Sequence, residues 1–132
     1  MKEIPHVKDF MSKAIYAINS ESTLAEAENV MKKYNVRHLP VVLGPKAYGI
    51  LSDRDLKYFS SLTAVDFTST RVRDFCEENP YITGPETRLG DVSAELAERR
   101  VGSALIVDND QLVGIFTTTD ACRALADLCR QI

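Results

Sequence analysis

Gly49-Ile50-Leu51-Ser52-Asp53-Arg54-Asp55 and Gly114-Ile115-Phe116-Thr117-Thr118-Thr119-Asp120 lie 65 residues apart and read alike. Each runs from an apolar strand-like stretch through a hydroxyl residue to a carboxylate three positions later, the pattern of a strand feeding a helix. The same offset holds outward without a gap. Val7-Lys8-Asp9-Phe10 falls over Val72-Arg73-Asp74-Phe75, Tyr16 over Tyr81, Glu21 over Glu86, Leu24 over Leu89, Val36 over Val101, and Val41-Val42 over Ile106-Val107. Register over a whole half means two copies of one supersecondary unit, and units of this size complete each other's core. The first copy is read as residues 1–62, a Thr- and Ser-rich connector as 63–71, and the second copy as 72–132.

Each copy gives the same order of elements. A short apolar strand (Tyr16–Ile18; Tyr81–Thr83) precedes a helix opened by a hydroxyl residue, Ser22 or Thr23 in one copy and Thr87 in the other. Helical spacing marks Leu24, Ala27, Val30, Met31 and Tyr34 as the inner face of the first, and Leu89, Val92 and Leu96 as that of the second. Two strands follow, Leu39–Leu43 with Tyr48–Leu51 and Ala104–Val107 with Leu112–Phe116, joined at Gly44-Pro45-Lys46 and at Asp108-Asn109-Asp110-Gln111. A closing helix spans Asp53–Leu62 or Thr118–Gln131. The unit is β-α-β-β-α.

Composition narrows the function classes. Of 132 residues, 45% are apolar and 27% charged, which excludes a disordered tail and fits a globular domain. No apolar run reaches the ~18–20 residues of a membrane span. The opening Met1-Lys2-Glu3-Ile4-Pro5-His6 has no signal-peptide core, so a cytoplasmic location is expected. Net charge −3 and no basic run beyond Lys32-Lys33 and Arg99-Arg100 argue against nucleic acid as a partner. Cys76, Cys122 and Cys129 are odd in number and lack Cys-x-x-Cys spacing, and His6 and His38 are the only histidines. Neither a disulfide framework nor a metal site follows from that set.

Two readings compete at the strand-to-helix entrances. Ser-x-x-Asp and Thr-x-x-Asp are capping-box spacings that satisfy free amides at a helix start. A helix start after a strand also attracts phosphate. Thr117, Thr118 and Thr119 offer more hydroxyls than a cap requires, and Arg54 adds a cation beside Asp55. A carboxylate one turn in can accept from paired ribose hydroxyls.

These residues, with Val36-Arg37-His38-Leu39-Pro40-Val41-Val42 and Val101-Gly102-Ser103-Ala104-Leu105-Ile106-Val107, resemble a tandem pair of CBS (cystathionine β-synthase) domains, a Bateman module, over about residues 4–131. The resemblance implies an α+β fold of two pseudo-symmetric β-α-β-β-α units packed sheet to sheet. It implies a regulatory adenosine ligand (AMP, ADP, ATP or S-adenosylmethionine) in the cleft between the copies, with no cofactor required. Asp55 and Asp120 would hold ribose, and Ser52 and Thr117 would lie near ribose or phosphate, with Arg54 and Thr119 beside them. Backbone at His38, Leu39 and Pro40, and at Gly102, Ser103 and Ala104, would bracket adenine. Where such domains often carry a Thr beside the base, this chain has Ala17 and Ile82. Arg37 and His38 resemble a phosphate sensor; as residues alone they also read as a surface cation and a half-buried polar group. Tyr81, like Tyr16, is a base-stacking candidate or a core aromatic.

The last helix is apolar around most of its circumference through Ala121, Cys122, Ala124, Leu125, Ala126, Leu128, Cys129 and Ile132. Cover on two sides is expected, one from the domain core and one from a second copy in a homodimer. The leading function is a nucleotide-sensing module signalling to an unidentified effector protein by a change of domain or dimer arrangement. The alternative is a ligand-independent dimerisation or interaction scaffold. No nucleophile–base grouping supports catalysis, and Asp53 with Asp55 is too little for a metal enzyme, so no enzyme activity is expected.

Overall fold

The computed structural model describes residues 3–132. Its elements run β1 (Ile18–Asn19), α1 (Leu24–Tyr34), β2 (His38–Leu43), β3 (Lys46–Ser52), α2 (Asp53–Ser60), β4 (Tyr81–Thr83), α3 (Leu89–Arg99), β5 (Ser103–Asp108), β6 (Gln111–Thr117) and α4 (Thr118–Cys129). The β-α-β-β-α order holds in both copies. The chain divides into two compact units: Tyr16–Pro80, called the first, and residues 3–15 with Tyr81–Ile132, called the second.

In the first unit β1 runs parallel to β2, and β2 antiparallel to β3. In the second, β4, β5 and β6 repeat that order. Even the register break recurs, between Val41 and Val42 and between Ile106 and Val107. Both hairpins turn in two residues, because Leu43 pairs with Lys46 and Asp108 with Gln111. Lys46 and Gln111 are therefore strand residues rather than turn residues. Asn109 and Asp110 both take positive φ (51° and 62°), the double left-handed turn that matches strand twist.

Several boundaries differ from the sequence expectation. β1 begins at Ile18 rather than Tyr16: the ladder to β2 starts at the Ile18–Val41 pair, and the Tyr16 ring lies stacked on Tyr34 at 4.1 Å and 13°. The closing helices stop at Ser60 and Cys129, short of Leu62 and Gln131. Thr23 caps α1 by accepting from the Glu26 amide at 3.2 Å, but Thr87 does not open α3. That cap is Arg88, the repeat counterpart of Thr23, with no side-chain cap bond, while Thr87 Oγ1 bonds Thr83 Oγ1 at 2.7 Å.

Each unit has its own core. Ile18, Leu24, Ala27, Met31, Leu39, Val41, Leu51, Leu56 and Val72 form the first. Val7, Leu89, Val92, Leu96, Ala104, Ile106, Phe116 and Ala124 form the second. Val72 and Val7 enter these cores from the segment that leads each copy, so residues 7–10 pack in the second unit and 72–75 in the first. Equivalent bonds tie both leading segments. Val72 N donates to Ser22 O at 2.8 Å and Val7 N to Thr87 O at 2.8 Å. Glu77 exchanges two backbone bonds with Ile50, as Ser12 does with Ile115. Arg73 pairs with Glu21 at 2.8 Å, and Lys8 pairs with Glu86 at 2.6 Å.

Candidate functional site

The entrance in the first unit is built where β2 begins beside the end of β3. His38 pairs with Ser52, and the Asp53 amide donates to Arg37 O at 2.7 Å. Ser52 caps α2: its Oγ accepts from the Asp55 amide at 3.1 Å, and its own amide donates to Asp55 Oδ2 at 3.4 Å. The capping box is thus real, and it leaves Asp55 Oδ1 without a bond among the described residues. Asp53 pairs with Lys57 one turn on, at 3.1 Å. The Arg54 amide has no acceptor partner among the described residues, and its guanidinium is exposed and unpaired there.

The second unit repeats the arrangement with different side chains. Ser103 pairs with Thr117, and the Thr118 amide donates to Gly102 O at 3.1 Å. The Thr117 amide and hydroxyl donate to Asp120 Oδ2 at 2.9 and 3.2 Å, and the Asp120 amide donates to Thr117 Oγ1 at 3.3 Å. Asp120 is only 12% exposed, with Arg123 Nη1 at 3.5 Å from Oδ1. Sequence reading had missed Arg123, though its i+3 spacing on a helix is a usable signal. Thr118 and Thr119 are exposed, make no cap, and the Thr119 amide is unpartnered among the described residues.

Each entrance therefore presents one free amide at a helix start and one carboxylate held by a hydroxyl cap. That pair of features suits an anion beside a polyhydroxyl group. Their electrostatics differ. His38 is half-buried without a side-chain hydrogen bond among the described residues. Burial lowers its pKa, opposed by Asp55 and assisted by Arg37. Arg37 is exposed. The second entrance has Gly102 and buried Ser103 in those places.

The surrounding candidates divide by exposure. Leu39, Pro40 and Ala104 are buried in the sheets, so only their backbone could face a ligand. Ala17 and Ile82 are exposed at the outer strands. Tyr81 packs against its unit's core with the Arg99 guanidinium 4.6 Å from the ring centre, a cation–π contact that takes one face of the ring. Tyr16 is likewise engaged, by Tyr34.

The CBS domain family matches this chain twice, over residues 7–61 and 72–127. The chain belongs to the CBS domain family. Among curated relatives, the CBS domain-containing protein YhcV of Bacillus subtilis is 31% identical over 114 residues, covering 86% of this chain and 81% of that one. The inosine-5'-monophosphate dehydrogenase of Korarchaeum cryptofilum is 25% identical, but this chain spans only 24% of its length. A solved putative acetoin utilization protein (AcuB) from Vibrio cholerae superposes with TM-score 0.85 at 25% identity, covering 97% and 95% of the two chains. The CBS domain pair of protein MJ0100, solved with 5'-methylthioadenosine and S-adenosyl-L-methionine, superposes with TM-score 0.85 at 23% identity, covering 95% and 98%. The α+β architecture of paired CBS units is thereby shown. Among the described residues, no helix is long and apolar enough to cross a membrane.

Proposed function

We propose that this CBS pair is a regulatory module that binds an adenosine compound: AMP, ADP, ATP or S-adenosylmethionine. The observation that carries this reading is the duplicated entrance, in which Asp55 and Asp120 are each bonded in a capping box beside a helix amide that has no partner among the described residues. The carboxylates would hold ribose hydroxyls and the amides of Arg54 and Thr119 a phosphate or carboxylate, with Ser52 and Thr117 alongside. Backbone at residues 38–40 and 102–104 would flank adenine. Arg37 and His38 favour a phosphorylated ligand at the first entrance, and the small Gly102 and Ser103 favour a bulkier or uncharged one at the second. The adenosine ligands of the MJ0100 pair support the class of ligand.

Thermal shift with each of the four compounds tests this reading. One of them raises Tm in the parent chain, and Asp120→Ala or Asp55→Ala removes the rise measured against its own ligand-free Tm. That reference matters, because either substitution also removes the carboxylate half of a capping box and so destabilises the helix start by itself. No shift with any of the four defeats the proposal.

A second reading, a scaffold that pairs or docks without a ligand, is favoured by the outer face of α4. Only Ala124 of that helix is fully buried, while Cys122 and Cys129 are exposed and Leu125 is 64% exposed. The domain core covers one side; the other fits a second copy of this chain. Light scattering with and without nucleotide separates the readings, since assembly indifferent to ligand favours the scaffold.

A further inference from the structure

The two entrances repeat in backbone but not in charge, and the difference centres on their carboxylates. Asp55 accepts one bond, from the Ser52 amide to Oδ2 at 3.4 Å, and its Oδ1 accepts none among the described residues. Asp120 is engaged on both oxygens. Its Oδ2 accepts from the Thr117 amide and hydroxyl at 2.9 and 3.2 Å, and its Oδ1 lies 3.5 Å from the Arg123 guanidinium. The Asp120 side chain is 12% exposed and that of Arg123 69%, so the cation is the solvent-facing member of the pair.

No residue of the first unit does what Arg123 does. The repeat offset puts Tyr58 in its place, 62% exposed, with its ring T-shaped against Phe59 at 5.9 Å. The other cations are distributed the opposite way. Arg37 and Arg54 are exposed and make no ion pair among the described residues, and their counterparts are Gly102 and Thr119. Asp53 is neutralised by Lys57 at 3.1 Å, and the counterparts of that pair are Thr118 and Cys122. The first entrance therefore offers one unpaired carboxylate and two unpaired cations. The second offers one carboxylate already joined to a cation.

We propose that the two entrances fill unequally: a phosphorylated adenosine compound takes the first through Asp55, while Arg123 keeps the second weak by occupying Asp120. The inference rests on the adenosine reading above and assigns the tight site within it. Ribose hydroxyls meet free lone pairs at Asp55, whereas at Asp120 they share one oxygen with two cap donors and the other with a guanidinium. Hydrogen bonds to a charged acceptor are strong enough for that difference to be worth roughly tenfold in affinity. The exposed Arg123 pair supplies about threefold of it. Phosphate adds to the same preference, because Arg37 and Arg54 are free to receive it. Arg123 is a positioning residue here, since it acts on the ligand only through Asp120.

The test is an AMP titration of the full chain, read from the amide chemical shifts of Arg54 and Asp55 against those of Thr119 and Asp120, with adenosine as the phosphate-free comparison. The first pair should saturate at AMP concentrations roughly tenfold below the second, and adenosine should narrow the gap. Asp55→Asn keeps an acceptor for the Ser52 amide and should abolish the tight phase; Asp120→Asn should leave it. Arg123→Gln should tighten the second phase about threefold without moving the first, and Arg123→Lys, which keeps the charge, should behave as the parent. Joint saturation of the two pairs, prior saturation of the second, or loss of the tight phase in Asp120→Asn overturns the proposal. So does a weaker second phase in Arg123→Gln, which would make Arg123 a support that orients Asp120 for the ribose. All of these leave the regulatory module standing, as does silence at both entrances with AMP when another of the four compounds raises Tm, a result that overturns the present proposal alone. If none of the four raises Tm, both fall.

Discussion

A Cβ placed on Gly49 would stand 2.4 Å from the carbonyl oxygen of Glu77. That oxygen belongs to the leading segment of the second copy, which lies along β3 and exchanges two backbone bonds with Ile50. Gly114 has the equivalent place, but its Cβ would meet Met11 Sδ at 2.5 Å, a flexible side chain. Gly49→Ala should therefore destabilise by about 1–3 kcal/mol, more than Gly114→Ala. Met11→Ala should relieve the Gly114→Ala variant, and no partner substitution should relieve Gly49→Ala. Urea melts of the four variants check this; equal losses at the two glycines would contradict it.

His38 gives a pH dependence of known sign. Burial lowers its folded pKa below the ordinary 6.5, with Asp55 opposing and Arg37 assisting. Between the lowered value and 6.5 the unfolded chain binds the proton more readily. This contribution is fully present above about pH 7, falls as pH drops through 6.5, and levels below the folded pKa. His38→Gln should flatten that part of the stability profile, read as the difference in urea midpoint between pH 7.5 and 5.5. An unchanged slope would remove His38 as its source.

The three cysteines should separate by reactivity. Burial pushes the Cys76 thiol up to about 11, with the carboxylates of Glu78, Glu77 and Asp74 adding to it and its own backbone bond opposing. At pH 8 this leaves roughly a hundredfold less thiolate than an ordinary thiol of pKa 9.0 carries. Cys122 and Cys129 are exposed on α4. Iodoacetamide followed by peptide mass mapping should label those two first and Cys76 only after denaturant is added. Equal labelling would show the leading segment opening in the native state.

Leu125 tests the self-association proposed for α4. Leu125→Glu should lower the mass by light scattering from two chains to one while leaving the far-ultraviolet spectrum unchanged. A parent chain that is already single, or a variant that remains paired, places the contact elsewhere or abolishes it.

The repeat made most of the fold legible. Short apolar runs in the strands, helical spacing in Leu24–Met31 and Leu89–Leu96, and hydroxyl–carboxylate pairs at Ser52 and Thr117 each encode a local structure that neighbours reinforce. What escaped was non-local. Thr87 has the chemistry of a cap, but the turn places Arg88 there and gives Thr87 to Thr83. Tyr16 reads as a strand residue until the Tyr34 ring is beside it. At the candidate site, both capping boxes followed from spacing, whereas the lack of a partner among the described residues for the amides of Arg54 and Thr119, and the Arg99 contact on Tyr81, depend on where other chain segments pass. That Glu77 and Met11 crowd the strand glycines Gly49 and Gly114 is likewise a matter of distant chain segments.

Because residues 7–10 complete the second unit and 72–75 the first, the molecule is woven rather than strung. Separating the copies at the repeat boundary would send each arm away with the wrong half, leaving two fragments that each lack a core valine. Neither copy could be deleted or shuffled into another gene without orphaning an arm. The duplication, once made, is held in place by this reciprocal exchange.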